Sequence, residues 1–463
     1  MAASAAVSED PACVSRGLAL ADLIDRPGRS ACSAAERVAL DVGAGDADML
    51  AYRAALLWRC GRVREAHRAA RAALEADPAT TLGWRVLGLV LEARFRDAAA
   101  RAAFGNALAL DPEDTPSLNG FSEVADSRAA RRDAIARFLA AGPARGEVEE
   151  ALKGARESLA FLDALGDRQV WVLEKADLPG ALALDPLIDR PGRVAGWIAR
   201  IDLGRERRVP ALVDSGASGL YLDARLAAPV GLEPLAAGTL LGGGGTGEHA
   251  TERGTVPRVL LGPLTFKDGL GFVGAGSLHE RGYYRAILGL DVFGGLLLRF
   301  DPHRRSLALE EAPPRDDDVD PLAVEPWPRA PTDVPVLQIA GQLLIPVTHR
   351  GDGVVESLAL LDTGAASTLL DESVAERLGS FRHGGMGPGT AFGGAMAIVG
   401  VVPLATVRSG PFEERLRDVA VIDLSLRTRL AGVAIGGFVG EDVWSRVGFE
   451  LDLASGVLRA RGR

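Results

Sequence analysis

The hydrophobic positions divide the chain into a helical part and a β part. From about Asp48 to Leu139, apolar residues recur every three or four positions among Ala, Leu, Arg and Glu, which predicts amphipathic helices. Beyond about Gly166 the pattern changes to short apolar runs, such as Trp197–Leu203, bounded by Gly, Pro and Asp. Runs of this kind predict short strands joined by tight turns. We therefore expect a multidomain protein, with an α-helical region followed by an all-β region.

The helical part contains a repeat. Asp77-Pro78 recurs as Asp111-Pro112 after 34 residues, and a fixed period of this length is typical of stacked helix-turn-helix units. The intervening segment resembles the tetratricopeptide repeat, and the resemblance implies paired helices that bind a protein or peptide. An Ala-rich bundle without true repeats is the alternative, and a structural role fits the residues as well as recruitment of a substrate does. The residues that carry the resemblance are Trp84, Leu87, Gly88, Ala100, Phe104, Ala107 and Pro112.

The β part carries an internal duplication. Asp214-Ser215-Gly216 recurs as Asp362-Thr363-Gly364 after 148 residues, and each triplet follows an apolar run. One such triplet alone is an ordinary turn sequence. Two further elements recur in the same order, 151 residues apart: Ile287-Leu288-Gly289 with Phe438-Val439-Gly440, and Leu298–Asp301 with Phe449–Asp452. Three ordered elements at nearly constant spacing indicate two copies of one β lobe.

These elements resemble those of the aspartic peptidases, and of retropepsin-like lobes in particular. The resemblance implies two β-barrel lobes related by a pseudo-twofold axis, with Asp214 and Asp362 as the catalytic pair. It also implies that the hydroxyls of Ser215 and Thr363 bond to backbone across the lobe junction, while Gly216 and Gly364 let backbone approach the carboxylates. Each apolar-Gly segment would pack beside the loop of its lobe. The residues of these two segments are Ile287, Leu288, Gly289, Phe438, Val439 and Gly440.

The chemistry of such a pair follows from electrostatics. Two carboxylates about 3 Å apart cannot both ionise, so they hold one proton between them over a wide pH range. One acts as a base toward a water and the other as an acid toward the scissile carbonyl oxygen, without a covalent adduct. We therefore predict no cofactor. Ala217 and Ala365 follow the two triplets, as in retropepsins, and the resemblance implies an optimum at weakly acidic to neutral pH.

Each lobe also has a Gly-rich stretch between the triplet and the apolar-Gly segment, which predicts a flap that closes over a peptide. Plain hairpin turns are the alternative, since Gly is a common turn residue, and neither stretch contains the flap Tyr of pepsins. Asp291 and Asp442, two residues after the paired glycines, are predicted to be structural and to cap helix N-termini. The candidate flap residues are Gly243, Gly244, Gly245 and Thr246 in the first lobe and Gly387, Gly393 and Gly394 in the second.

Composition and charge disfavour several other classes of protein. The 463 residues carry a formal net charge of −10 and show no basic block, which disfavours nucleic acid and anionic membranes as partners. The longest apolar runs fall far short of the roughly 18 residues that span a bilayer, so we expect a soluble protein. The six His residues occur singly and no Cys-x-x-Cys is present, so no metal site is predicted.

The residues are compatible with more than one cellular compartment. The first residues show no secretory signal, which favours the cytoplasm, whereas a signal already removed would favour the periplasm or secretion. Cys13 and Cys32 could form a disulfide in an oxidising compartment.

We predict five segments: an N-terminal extension (1–46), a tetratricopeptide-like helical domain (47–165), a first peptidase lobe (166–311), a solvated linker rich in Pro and Asp (312–332) and a second lobe (333–463). The predicted function is that of an aspartic endopeptidase acting on polypeptides, with the helices for docking or substrate recruitment. A monomer is favoured, and a homodimer that pairs lobes between chains is the other arrangement. The alternatives are a non-catalytic peptide-binding scaffold and a regulator that processes a single client.

Overall fold

The computed structural model describes residues 46–142, 149–242, 248–274, 278, 282–314, 319–384, 387, 389–391 and 394–461. Within these ranges, seven α-helices precede the first strand, and no described helix is long and apolar enough to cross a membrane. The helices are α1 (Ala47–Arg59), α2 (Val63–Ala76), α3 (Thr81–Ala93), α4 (Asp97–Leu110), α5 (Thr115–Glu123), α6 (Arg128–Ala141) and α7 (Glu149–Leu165).

The helices pack through small residues and one central aromatic ring. Helices α1, α3 and α5 begin 34 residues apart. Phe104 of α4 is fully buried, and its ring faces Gly88 of α3 and Gly120 of α5, where a Cβ would overlap the ring. Glycine at these two positions is therefore what allows three helices to pack around one Phe.

The first β lobe contains a closed barrel of six strands. Around the barrel, each strand pairs with the next in the order β3, β4, β9, β5, β8, β7 and back to β3, with parallel pairs β4–β9 and β5–β8. Its elements are β1 (Val172–Ala176), β2 (Gly180–Arg190), β3 (Arg193–Leu203), β4 (Glu206–Asp214), β5 (Leu220–Leu222), α8 (Ala227–Val230), β6 (Glu233–Leu241), β7 (Glu248–Leu261), β8 (Leu264–Gly274), β9 (Ala286–Gly289), β10 (Leu296–Asp301) and β11 (Ser306–Glu311).

The second lobe repeats this barrel strand for strand. The order is β14, β15, β22, β16, β21, β20 and back to β14, and the parallel pairs β15–β22 and β16–β21 occupy the equivalent places. The predicted fold class, a helical region followed by two β-barrel lobes, is confirmed. The elements of this lobe are β12 (Val334–Pro335), β13 (Leu337–Ile339), β14 (Gln342–Arg350), β15 (Val354–Leu361), β16 (Leu369–Asp371), α9 (Glu372–Leu378), β17 (Arg382–His383), β18 (Gly389–Ala391), β19 (Gly394–Met396), β20 (Gly400–Ser409), β21 (Phe412–Ile422), α10 (Ser425–Ala431), β22 (Ile435–Val439), α11 (Glu441–Trp444), β23 (Phe449–Asp452) and β24 (Val457–Ala460).

An antiparallel sheet joins the two lobes. Its strand order is β12, β24, β23, β10, β11 and β2, so strands of both lobes contribute. At its centre β10 pairs with β23, with Phe300 opposite Phe449, and the two rings stack at a centroid distance of 5.0 Å. These two strands are the third element of the duplication found in the sequence. The two copies therefore lie side by side and join the lobes through backbone hydrogen bonds.

The helical region shares a hydrophobic core with the second lobe. Buried side chains of α1 to α4 belong to one cluster with Leu358 of β15 and Ile435 of β22. Val324, from the predicted linker, belongs to the same cluster with 7% of its surface exposed, and Trp327 packs against it. The linker is therefore not solvated throughout, because these apolar residues among its Pro and acidic positions bury against the helices.

Candidate active site

Each Asp-Ser/Thr-Gly loop begins where a buried barrel strand ends. Asp214 is the last residue of β4 and lies opposite Gly289 of the parallel strand β9. Asp362 directly follows β15, and its N–H donates to the carbonyl of Val439 in β22 at 3.1 Å. The apolar-Gly segment of each lobe thus holds the Asp of the same lobe in place.

Four hydrogen bonds lock the two loops together across the lobe junction. The N–H of Ser215 donates to Thr363 Oγ1 at 3.0 Å, and the N–H of Thr363 donates to Ser215 Oγ at 2.9 Å. The hydroxyls donate in turn to backbone of the opposite lobe, Ser215 to the carbonyl of Leu361 at 2.7 Å and Thr363 to the carbonyl of Val213 at 2.9 Å. Because the set is reciprocal and buried, it relates the two Asp residues by a local twofold axis.

Gly216 and Gly364 bring each loop against the carboxyl of the other lobe. A Cβ on Gly216 would lie 2.8 Å from Asp362 Cγ, and a Cβ on Gly364 would overlap Asp214 Cγ. The N–H groups of the two glycines donate to the carboxyl of their own lobe, at 2.8 Å to Asp214 Oδ1 and at 2.9 Å to Asp362 Oδ1. Both carboxyls are therefore oriented by backbone donors and enclosed by backbone without side chains.

The two carboxyls share one site but are not equivalent. The two carboxyl groups hydrogen-bond to each other, and protein surrounds both groups. Each Asp residue as a whole is half-buried. Burial, followed by the charge of Asp362, raises the pKa of Asp214 well above its usual range. Burial also raises the pKa of Asp362. Backbone N–H groups oppose the rise in both lobes, from Gly216 and Ala217 at Asp214 and from Gly364 and Ala365 at Asp362, and the Arg427 guanidinium opposes it further at Asp362. Two coupled carboxyls whose pKa values are both raised therefore hold one proton between them over a wide pH range.

A family model described as Aspartyl protease matches the chain twice, at residues 197–292 and 345–443. Each match begins within a barrel and includes one Asp-Ser/Thr-Gly loop and one apolar-Gly segment. The matched part of each lobe is therefore similar to aspartyl proteases.

Two solved structures are also similar to parts of this chain. One is a retropepsin-like aspartic protease from Rickettsia conorii, 22% identical over 31% of this chain and 96% of that chain, with a TM-score of 0.20. The other is Basic 7S globulin from soybean, 10% identical over 62% of this chain and 97% of that chain, with a TM-score of 0.34. No curated protein matches the chain.

Asp291 and Asp442 each bind backbone within their own lobe, but not as helix caps. Asp291 accepts from the N–H of Gly219 at 2.8 Å, and Asp442 accepts from the N–H and the hydroxyl of Thr368 at 2.9 and 2.7 Å. The N-cap positions belong to Gly289 and Gly440, which have no side chain to cap with. The prediction of N-caps is therefore wrong: the two carboxylates bind the backbone that follows each catalytic loop.

The flap predictions fall partly outside the described residues. Gly243, Gly244, Gly245, Thr246 and Gly393 all lie outside them. The first of these stretches connects β6 to β7, which pair along their length. In the second lobe, Gly387 precedes β18 and Gly394 begins β19, and these two short strands pair with each other. Closure of either hairpin over a substrate stays a prediction.

Several residues beside the dyad were not predicted from the sequence, among them Tyr221, Arg427 and Glu441. Tyr221 of β5 and Arg427 of α10 interact electrostatically with Asp214, and neither belongs to a recognisable motif. Glu441 is fully buried, and its carboxyl accepts from Trp197 Nε1 of the other lobe at 2.9 Å. Burial raises the pKa of Glu441 to about 8. Aligning the two copies would have found it, because Leu290 is the equivalent residue in the first lobe.

Proposed function

We propose that this chain is an aspartic endopeptidase with a single active site at the junction of its two lobes. The reciprocal hydrogen bonds between Ser215 and Thr363 are the observation that supports this best, because they bring two hydrogen-bonded carboxyls into one buried site. The charge of Arg427 acts on Asp362 more than on Asp214 and favours Asp362 as the ionised member of the pair. Asp362 is the base and Asp214 the acid.

In the proposed reaction, ionised Asp362 takes a proton from a water while Asp214 donates its proton to the scissile carbonyl oxygen. Water oxygen bonds to the carbonyl carbon and forms a tetrahedral diol. Collapse then breaks the C–N bond, as Asp362 returns its proton to the leaving nitrogen and Asp214 takes one from a diol hydroxyl. The pair ends with one proton, as it began, and no bond to the enzyme forms.

The test is cleavage of a denatured protein and a peptide library, followed by mass spectrometry. We expect Asp214→Asn and Asp362→Asn each to reduce turnover about a hundredfold or more, because each change removes an acid or a base. Asp133→Asn, at an exposed helix position, is the matched control and should leave turnover unchanged. Cleavage that persists in both dyad variants would contradict the proposal. Binding without cleavage would indicate a scaffold, and cleavage of one client alone would indicate a regulator.

The same assay measures the pH optimum. The pair lacks a base below its first pKa and lacks an acid above its second, so only the form with one proton is active. Because burial raises the pKa of both Asp214 and Asp362, both limits lie above those of free Asp. We expect a maximum at weakly acidic to neutral pH, and a maximum below about pH 3 would contradict the assigned dyad.

A role for the helices in docking or substrate recruitment is part of this proposal. It is supported by the 34-residue spacing of α1, α3 and α5, which is the spacing of tetratricopeptide-like units. Recruitment would make kcat/KM higher for an unfolded protein than for a short peptide with the same cleavage site. Equal values for the two substrates would leave the helices with a structural role.

A further inference from the structure

Arg427 is a buried cation that crosses from the second lobe to the first. Only 6% of the surface of Arg427 is exposed. Its Nη2 donates to the carbonyl of Gly242, directly after β6 of the first lobe, at 3.2 Å. The guanidinium carbon lies 5.5 Å from the ring centroid of Phe438. Phe438 immediately precedes Val439, whose carbonyl accepts from the N–H of Asp362. The guanidinium therefore lies over the strand residue next to the one that holds Asp362.

Among the described residues, the contacts of Arg427 include no carboxylate outside the dyad. Gly242 offers a neutral carbonyl and Phe438 a ring face, and within the described residues its Nε–H has no hydrogen-bond acceptor. A buried cation is stable when an opposite charge lies nearby in the same low-dielectric region. Its charge acts on both Asp362 and Asp214. The single negative charge of the dyad is therefore the counter-charge of Arg427.

We propose that Arg427 is a positioning residue of this active site, whose fixed and buried positive charge stabilises the single negative charge of the dyad. The catalytic consequence of this inference rests on the proposed function. The electrostatic interaction between Arg427 and the dyad does not. The guanidinium touches neither the substrate peptide nor the water in this scheme. It acts through the carboxyl that serves as base.

Other titratable groups beside the dyad do not replace this charge. Tyr221 and Tyr284 both interact with Asp214, and burial raises the pKa of Tyr221 above its usual range and that of Tyr284 to about 12. Glu441 interacts with Asp362, and burial raises its pKa to about 8. All three are neutral at pH 7. Arg253 acts on Tyr221 from the first lobe, whereas Arg427 acts on the carboxyls themselves.

The experiment compares pH profiles of kcat/KM for the full chain and three variants. Arg427→Gln keeps a donor for Gly242 but removes the charge, Arg427→Lys keeps the charge, and Arg429→Gln changes a second arginine of α10 as the matched control. Without the cation, the first proton leaves the dyad less readily, so both limbs of the profile move to higher pH. We expect a shift of about one pH unit for Arg427→Gln, hence about a tenfold loss on the acidic side. Arg427→Lys and Arg429→Gln should stay near the parent profile.

A second readout separates this inference from the proposed function. Carbon-13 NMR of labelled Asp carboxyls follows protonation of the dyad without turnover, with Asp362→Asn to assign the signal. Unmoved carboxyl titration and unmoved limbs in Arg427→Gln would overturn the inference, even if activity fell evenly at every pH. A shifted titration without peptide cleavage by the parent chain would sustain the inference and reject the proposed function. If Arg427→Gln does not fold, Arg427→Met, which keeps the aliphatic stem against Phe438, takes its place.

Discussion

At the scale of single residues, Gly364 is the most tightly enclosed part of the active site. Any side chain at this position would occupy the space of the Asp214 carboxyl, whereas at Gly216 a Cβ would approach Asp362 Cγ to 2.8 Å. The backbone there can give way only by separating the loops, because Thr363 is bonded to the opposite lobe through both its N–H and its hydroxyl. The spacing of the two carboxyls therefore depends on residue 364 having no side chain.

We expect Gly364→Ala to reduce kcat/KM about a hundredfold, because a displacement of about 1 Å in a reacting group has an effect of that size. Gly216→Ala should have the smaller effect of the two. The control is Gly105→Ala in α4, where a Cβ meets no atom within 4 Å. Parent-like activity of Gly364→Ala, measured with the same peptide, would show that the carboxyls tolerate a wider spacing.

The sequence contained the residues of the dyad but not the residues that make it asymmetric. Asp214, Asp362 and their Ser, Thr and Gly neighbours occur in two contiguous motifs, so the duplication alone identified them. Arg427 lies on a short helix far from either motif in the chain. Its approach to the dyad depends on how α10 packs against β6 of the other lobe, and no local pattern encodes that distance.

At the scale of elements, α7 is bound to the hairpin formed by β6 and β7. The carboxylate of Glu157 accepts from the N–H and the hydroxyl of Thr239 in β6 at 2.8 and 2.6 Å. It also pairs with Arg253 of β7 at 3.4 Å, and the Arg253 guanidinium lies 6.0 Å from the ring centroid of Phe161. One helical carboxylate thus fixes both strands of the hairpin that the sequence predicts to be a flap.

Replacing Glu157 by Gln should loosen this hairpin, because the charged acceptor shared by Thr239 and Arg253 is lost. Charge-assisted bonds of this type contribute about 1.5–3 kcal/mol, so backbone amides of β6 and β7 should exchange about tenfold faster. Hydrogen exchange with mass spectrometry measures this, and Glu174→Gln, on an exposed strand position, is the control. Equal exchange in Glu157→Gln and the parent chain would indicate that the hairpin is held by other contacts.

Prediction at this scale succeeded for the identity of elements and failed for their contacts. The periodicity of apolar residues separated helices from strands, and the Gly-rich stretch after β6 suggested a hairpin. Glu157 and Thr239 are 82 residues apart, and nothing in either local sequence indicates that a helix of one region binds a strand of the other.

At the scale of the whole molecule, Arg94 joins three parts of the chain. It is fully buried at the end of α3 and donates to the carbonyls of Pro326 at 3.0 Å, Gly456 at 2.7 Å and Val336. Pro326 lies in the segment before the second lobe, Val336 lies between β12 and β13, and Gly456 lies in the C-terminal hairpin. The Trp327 ring covers the guanidinium with its centroid 5.5 Å from Cζ. The helical region and the second lobe are therefore one packed body.

We expect Arg94→Met to lower the free energy of unfolding by about 3 kcal/mol, because buried carbonyls lose their donors. Urea unfolding followed by circular dichroism and by tryptophan fluorescence measures this, and both probes should report one transition at lower urea. Arg131→Met, on the surface of α6, is the control and should leave the midpoint nearly unchanged. Two separate transitions in the parent chain would contradict a single packed body.

Covalent linkage of the two lobes has a consequence for how a peptide lies in the cleft. In a symmetric assembly of two identical chains, the two walls of the site are the same. A peptide therefore meets the same surroundings in either of its two orientations. Here β10 and β23 belong to one chain, and each lobe has its own residues: Glu441 of the second lobe corresponds to Leu290 of the first, and Arg427 approaches from the second lobe. The two walls of the proposed site therefore differ, and the two orientations of a bound peptide would not be equivalent.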